Sequence, residues 1–416
     1  MIAGDVLAEI DDQMAEVVFL AGADGAIGEK HELVVLDQAA DGVVRVDPRF
    51  HAGGGVELGA RWPQLDRDKR GLALQRGHQR SGHPFSIVRP GMATAFAAFM
   101  STPMVLLAQH PTPVDRLRHL QAALGPSCPT LLMKRDDLLS FGGGGNKVRK
   151  LQTVMREATG AGADTVITCG GVQSNHARAT AAAASALGLR AILVLNLNGA
   201  EPPVEPTGNL KLDQLFGAEV RFVATRADRA PEMARIADDL RSGGKKPFVI
   251  PLGASTPLGA IGFARGVLEL SAATIKPDAI IHASSSGGTQ AGMIAGCALV
   301  GVGTAVTGIS ADDPATSLAH TIRELLTGVA SRLGAKQETV GLDRPIDVDD
   351  TQVGDGYGLP TPASIEAREL VARTEGIVLD HTYTAKAMAG LIARVRGGHF
   401  DKDQTVLFWN TGGLGL

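Results

Sequence analysis

The run FGGGGNKVRKLQTVMREA, Phe141–Ala158, decides the fold. Val148, Leu151, Val154 and Met155 recur at helical spacing, which predicts a helix starting at about Lys147. Directly before it stand Gly142 to Gly145 and Asn146. Glycines let a backbone come close to a flat ring. A helix start, with its unsatisfied N–H groups and dipole, disfavours a neighbouring cation. The Lys147 amine is therefore expected to be less basic than usual, as a nucleophilic lysine needs. Read alone, the stretch fits a solvated lysine beside a loop better. The segments around it reverse that.

Upstream, Thr130–Asp137 (TLLMKRDD) reads as a short strand leading into this loop. Downstream, DTVITCGGVQSNHARATAAAASALG (Asp164–Gly188) predicts a buried strand over Thr165–Cys169 and a turn at Gly170 and Gly171. Ser174 or Asn175 is then a natural N-cap for an Ala-rich helix. Gln173, Ser174, Asn175 and His176 crowd one helix start, a place that can hold a carboxylate. The same logic returns in DAIIHASSSGGTQAGMIAGCALVG (Asp278–Gly301), with a strand over Ala279–Ala283, a loop over Ser284–Gly288 and a helix from about Thr289. Ser286, Gly287, Gly288 and Thr289 would bring hydroxyls, backbone N–H groups and a helix dipole to one phosphate dianion. The GxxxxGK[ST] pattern of a nucleoside-triphosphate loop is absent, and neither segment contains GxGxxG. A weakly basic lysine, a phosphate cradle and a carboxylate cradle need one common ligand. Pyridoxal 5'-phosphate carrying an amino acid supplies all three partners.

The chain has two tyrosines, and both fall in turn-rich segments: Tyr357 in GDGYGLPTP and Tyr383 in DHTYTAKAMAGL. Phenols so placed can move protons or hold a leaving group. Near the C-terminus, Thr405–Trp409 predicts a buried strand with Thr411 at its carboxyl end, where ligands gather in open α/β sheets. A Thr411 hydroxyl facing a pyridine nitrogen would leave that nitrogen largely unprotonated, a weaker electron sink than one paired with a carboxylate.

The remaining composition narrows the field. With 44% hydrophobic and 20% charged residues, the 416-residue chain can bury a sizeable core. A formal net charge of -4 and no long basic run argue against nucleic acid or an anionic membrane as main partner. Cys128, Cys169 and Cys297 form neither a CxxC pair nor a disulfide framework, which points to a reducing, cytoplasmic compartment and to no metal site. No apolar run reaches the ~18–20 residues of a membrane span, and the apolar stretch Met92–Ala108 does not read as a signal peptide. Residues 1–100 hold no lasting periodicity and admit three readings: a poorly ordered extension, a small accessory domain, or translation upstream of the real start. From Pro111 onward, strand-like and helical runs alternate as in βα units.

Over about Pro111 to Gly413 the chain resembles the family of D-cysteine desulfhydrase, 1-aminocyclopropane-1-carboxylate deaminase and L-cysteate sulfo-lyase. The resemblance rests on PTPVDRL, KRDDLLSFGGGGNKVRKL, GGVQSNHARATAAAA, PLGASTPLGAIGF, ASSSGGTQAGMIAG, GDGYGLP, TYTAKAMAGL and the final TGG. It implies an α/β, tryptophan-synthase-β-like fold: two open twisted α/β domains, 105–150 plus 257–416 and 151–256, with the cofactor in the cleft, and a homodimer. It implies that Lys147 links to the cofactor, with Ser174, Tyr357 and Tyr383 as further catalytic residues. Gln173, Ser174, Asn175 and His176 would bind substrate, Asn175 lying near the cofactor's ring hydroxyl. Ser286 to Thr289 would hold the phosphate, and Thr411 would face the ring nitrogen. Resemblance to the deaminase would place a glutamate after the second tyrosine, where this chain has Thr384. That favours β-elimination of D-cysteine, or a close β-substituted amino acid, to pyruvate, ammonia and sulfide. The alternatives are the deaminase giving 2-oxobutyrate and ammonia, the sulfo-lyase, and more distantly a non-catalytic cofactor-binding protein. Thr384 does not separate cysteine from cysteate. Sulfonate recognition would need extra cationic or N–H donors near the leaving group, and the sequence points to none.

Overall fold

The computed structural model describes residues 92–413 and, before them, three strands: β1 (Val17–Ala21), β2 (His31–Gln38) and β3 (Val44–Val46). These strands form an antiparallel sheet, ordered β1-β2-β3, in a unit spanning Met1–Ala97. Apart from these strands and the end of the segment, the expectations for residues 1–100 lie outside the described residues. A helix, α1 (Met92–Ser101), follows.

The second unit, Ala98–Leu416, is built on two sheets. The larger contains β4 (Val114–Arg116), β5 (Thr130–Arg135), β10 (Ala279–Ser284), β11 (Ala305–Ser310), β12 (Asp347–Asp349) and β13 (Thr405–Asn410), in the order β12-β11-β10-β13-β5-β4. All neighbours run parallel except the edge strand β4, which is antiparallel to β5. The smaller contains β6 (Thr165–Gly171), β7 (Arg190–Asn196), β8 (Glu219–Val223) and β9 (Pro247–Val249), all parallel, in the order β8-β7-β6-β9. Parallel strands are covered on both faces, so their central members read as unbroken apolar runs. AIIHAS of β10 is buried throughout, and TVLFWN of β13 is buried from Val406 on.

The covering helices are α2 (Arg118–Leu124), α3 (Lys147–Gly160), α4 (Asn175–Ala186), α5 (Gly208–Leu215), α6 (Arg229–Ser242), α7 (Pro257–Ala272), α8 (Gly288–Leu299), α9 (Ala315–Arg332), α10 (Pro362–Glu375) and α11 (Thr384–Arg396). The predicted strand–loop–helix units are present. One detail differs: Gly170 and Gly171 still pair with β7, so the turn falls at Val172 and Gln173. No described helix is long and apolar enough to cross a membrane.

Behind α3 lies a buried ionic network. Arg149 donates from Nε to Asp136 Oδ2 (2.8 Å), from Nη2 to Asp136 Oδ1 (2.7 Å) and from Nη1 to Glu269 Oε1 (2.5 Å). Lys134 Nζ reaches Glu269 Oε2 at 2.6 Å, and Trp409 Nε1 donates to Asp136 Oδ2 at 2.8 Å. Burial opposes the Arg149 charge, but Asp136 and Glu269 outweigh it and hold the guanidinium more basic than usual. The network joins β5, α3, α7 and β13, so the start of α3 is tied to the large sheet.

Candidate active site

The parallel strands all point their carboxyl ends at one polar cavity of about 230 Å³. Ser174 follows β6, Asn196 ends β7, Arg226 follows β8, Ser284 ends β10 with Ser285 to Gly287 after it, Asp312 follows β11 and Thr411 follows β13. Open α/β sheets bind ligands at such ends.

Lys147 enters this cavity as the first residue of α3. The loop before it needs its glycines: Gly142 to Gly145 all have positive φ, and a Cβ on Gly144 would meet the Leu139 carbonyl at 2.6 Å. Gly145 N donates to Asp136 O (3.2 Å) and Asn146 N to Thr411 O (2.9 Å), clamping the loop between the ends of β5 and β13. Asn146 also accepts from Lys147 Nζ at 3.0 Å and donates to Thr289 Oγ1 at 2.9 Å. The Lys147 amine is lowered from 10.5 to about 8, chiefly by burial; Asp380 opposes the shift and Arg178 adds to it. The expected weak basicity is present, with desolvation as its largest cause.

The Gly/Ser loop forms the second wall. Ser284, Ser285, Ser286, Gly287 and Thr289 line it. Gly288 lies behind, where a Cβ would meet Ser255 Oγ at 2.6 Å. Ser255 Oγ accepts from Gly288 N (3.2 Å) and from Lys150 Nζ (3.3 Å), and sits 2.7 Å from Ser286 Oγ. Lys150 is fully buried, and among the described residues its amine meets a serine hydroxyl and no carboxylate. Burial, then the neighbouring Lys147 charge, push its amine well below the usual range. Lys150 and Ser255 are functional candidates that the sequence reading missed. Lys150 stands three residues after Lys147, on the same helix face, which was a readable signal.

The third wall is the start of α4. Ser174 caps the helix, accepting from Ala177 N at 3.2 Å. Asn175 Oδ1 accepts from Arg178 Nη1 (3.2 Å) and Asn209 Nδ2 (3.0 Å). His176 is buried, 2.7 Å from Thr168 Oγ1, and burial followed by Lys150 and Lys147 keeps its ring well below the usual imidazole range, hence neutral. Gln173 is not brought to the cavity. It is exposed, donating to Thr207 O (3.2 Å) and accepting from Asn209 N (2.8 Å), so it ties the turn to α5 instead.

The two tyrosines close the fourth side. Their hydroxyls lie 2.5 Å apart, with the rings edge to face at 71° and centroids 5.8 Å apart. Lys147 Nζ is 5.9 Å from the Tyr383 ring centre. Burial raises both phenols, Tyr383 well above its ordinary value. Asp380 orients the start of α11, accepting from Tyr383 N (2.9 Å), Thr384 N (2.9 Å) and Thr384 Oγ1 (2.6 Å). A buried lysine missed by the sequence reading, Lys386, donates to Val353 O (2.7 Å), Gly356 O (2.8 Å) and Ala311 O (3.3 Å). It thereby staples the Tyr357 loop to the loop carrying Asp312.

These donors fit pyridoxal phosphate. An unpaired buried lysine beside serine hydroxyls at a helix N-terminus calls for an anion. Ser284 Oγ is buried, lines the cavity and has no partner within the protein. The first amine of α3 supplies a nucleophile at the right end of the same cavity.

The comparisons agree. Residues 105–412 match the family described as pyridoxal-phosphate dependent enzyme. The chain is 39% identical over 323 residues to 1-aminocyclopropane-1-carboxylate deaminase of Burkholderia vietnamiensis, covering 73% of this chain and 92% of that one. It is 34% identical over 321 residues to D-cysteine desulfhydrase of Salmonella choleraesuis, covering 75% and 94%. A crystal structure of a 1-aminocyclopropane-1-carboxylate deaminase homologue superposes with a TM-score of 0.71 at 34% identity, covering 79% of this chain and 96% of its own. A lysine, an anion cradle and a tyrosine pair at the strand ends thus sit in a fold shared with such enzymes, and the chain belongs to the family of pyridoxal-phosphate-dependent enzymes, with the tryptophan-synthase-β-like fold.

Proposed function

We propose that this enzyme carries out β-elimination on D-cysteine or a close β-substituted amino acid, releasing pyruvate, ammonia and sulfide with uptake of one water. When bound, pyridoxal phosphate supplies a conjugated electron sink that stabilises negative charge developing at the substrate Cα. Lys147 is the residue that holds it covalently. Ser286, Gly287, Thr289 and the N–H groups opening α8 are assigned to the phosphate, with Gly288 shaping the turn and Lys150 neutralising the charge. Asn175 is assigned to the ring hydroxyl and Thr411 to the ring nitrogen.

Ser174 and Asn175, at the start of α4, bind the substrate carboxylate. His176 is the neutral support beneath them, and Gln173 holds their turn. The Lys147 amine, whose lowered basicity leaves a neutral fraction near neutral pH, takes the Cα proton. The electron pair left at Cα becomes the second Cα–Cβ bond, and the Cβ–S bond breaks with its pair going to sulfur. Tyr357 gives that sulfur a proton, and Tyr383, hydrogen-bonded to it, relays back the proton that Lys147 took from Cα, so both phenols and the amine are restored.

Thr384 carries the choice of reaction. It follows the second tyrosine, is buried and spends its hydroxyl on Asp380, which is not among the cavity-lining residues, so position 384 itself brings no carboxylate to strengthen the electron sink. Ring opening of a cyclopropane would draw on such strengthening more than thiol elimination does. The deaminase reading is the second one, favoured by the 39% identical relative of that name. Incubating the holoenzyme with each amino acid decides: sulfide and pyruvate from D-cysteine support the first reading, and 2-oxobutyrate from the cyclopropane without sulfide from cysteine supports the second. We also propose two domains, 105–150 plus 257–416 and 151–256, each on one of the two sheets; α3 crosses from one to the other.

A further inference from the structure

Among the described residues of the cavity rim, Arg226 is left unused by the mechanism above and joins the two sheets. It stands in the connection between β8 and α6, on the small-sheet side. Asp228 accepts from Thr225 N (2.8 Å) and Thr225 Oγ1 (2.7 Å), fixing that connection. Arg226 Nη2 reaches across to Asp312 Oδ2, 3.1 Å away at the end of β11 in the large sheet. Its guanidinium carbon lies 5.0 Å from the centre of the Tyr357 ring. Tyr357 in turn shares its hydrogen bond with Tyr383, whose ring faces Lys147.

We propose that Arg226 is a positioning residue that makes Tyr357 a competent acid toward the leaving group, and only while the small sheet's loop is docked on Asp312. A guanidinium over a phenol ring is attracted to its π face and favours the phenolate once formed. Four charged and titratable groups act most on Tyr357, namely Arg226 from the β8–α6 connection, Asp312 after β11, and Asp380 and Tyr383 before α11, while Lys147, Arg229 and Asp313 line the same cavity. Arg226 is the cation among these four. Asp312 and Asp380 oppose phenolate formation, so without Arg226 the phenol would be a poorer proton donor. Arg226 is 40% exposed and sits on a connection between elements, so its contacts move with that connection. Loop docking and acid strength are thereby coupled: breaking the Asp312 contact would take the guanidinium away from the phenol.

This inference rests on the elimination reading for its kinetics but has a substrate-free measure as well. The chain has two tyrosines, so an ultraviolet titration of phenolate in the folded holoenzyme, taken as the difference from Tyr357→Phe holoenzyme to remove the cofactor's own absorbance, assigns the Tyr357 ionisation. Arg226→Gln is expected to move that ionisation upward by about one pH unit, and Arg226→Lys by less. In turnover, Arg226→Gln is expected to lower kcat about tenfold on D-cysteine, whose thiolate needs a proton, and to leave β-chloro-D-alanine, whose chloride does not, within about twofold. The alkaline limb of the D-cysteine profile should move up with the phenol. An unmoved ionisation, or equal losses on both substrates, would overturn the proposal. If the wild type eliminates from neither compound, the elimination reading fails, and the phenol titration alone decides the role of Arg226.

Discussion

Arg178 Nη2 donates to the Gly144 carbonyl at 2.7 Å, joining α4 under the small sheet to the glycine loop that precedes Lys147. The same guanidinium donates from Nη1 to Asn175 Oδ1 and, at 2.9 Å, to Asn209 Oδ1. One buried side chain therefore fixes the nucleophile's loop and the proposed substrate cradle relative to each other. Arg178→Lys keeps a charge near Asp213 but cannot span these acceptors. A hydrogen bond to a charged group contributes about 1.5–3 kcal/mol. The variant is expected to melt below the wild type, because buried acceptors lose their donor, and to raise the substrate KM by about tenfold or more. Thermal melts and steady-state kinetics check this; an unchanged KM would show that the bridge does not position the cradle.

The Lys147 amine titrates at about 8, so it is mostly protonated at pH 6 and mostly neutral above pH 8. Only the neutral amine attacks an aldehyde. Cofactor-stripped protein is therefore expected to capture pyridoxal phosphate faster as pH rises, by about tenfold per unit well below the midpoint, levelling above it. Stopped-flow absorbance of the lysine-linked cofactor gives the profile. A midpoint near the ordinary value of 10.5 would contradict the burial argument. Lys147→Ala should show no lysine-linked band at any pH.

The buried network behind α3 makes a prediction about stability. Asp136 accepts from Arg149, from Trp409 Nε1 and, at 2.9 Å, from Thr112 Oγ1 while wholly buried. Asp136→Asn leaves Arg149 without its bidentate partner, and breaking such a pair costs about 3–5 kcal/mol. Glu269 adds a pH dependence. Burial alone would raise its carboxyl, but His110, Arg149 and Lys134 outweigh burial and hold it well below the usual carboxylate range. Its folded-state value is depressed. The stability it contributes is thus fully present above the unfolded-state value, about pH 4–5, and is lost as pH falls toward the folded one. Urea unfolding of Glu269→Gln is expected to show lower stability near neutrality and a flatter acid limb than the wild type.

How much of this could be read from sequence depends on distance along the chain. Lys147, Ser174 and the Ser284–Thr289 loop each lie where an apolar run breaks into glycines and a helix begins, so local pattern finds them. Gln173 shares that turn but points outward, because Asn209 in α5 claims its side chain, a fact set 36 residues away. Arg226 and Asp312 meet across 86 residues, and Lys150 and Ser255 across 105. Arg226 and Asp312 lie on no motif, and Lys150 and Ser255 lie on two separate ones; only the convergence of strand ends from two sheets brings each pair together. The weak basicity of Lys147 was legible for an incomplete reason: the helix start is there, but burial does more.

Lys150 yields the last prediction. A buried amine whose polar neighbour is a serine hydroxyl at 3.3 Å is costly in the free protein. An incoming phosphate would convert that cost into a charge-assisted contact. Lys150→Met removes both the cost and the contact while nearly preserving volume. The cofactor-free variant is therefore expected to be at least as stable as the cofactor-free wild type. Its Kd for pyridoxal phosphate is expected to rise about tenfold to a hundredfold, since a charged contact contributes about 1.5–3 kcal/mol. At saturating cofactor the lysine-linked absorbance should return, because Lys147 is untouched. Equilibrium dialysis gives the affinity and melts of both cofactor-free proteins give the stability. A variant that is destabilised without cofactor, yet binds it as tightly as the wild type, would make Lys150 a packing residue and move the phosphate's cation elsewhere.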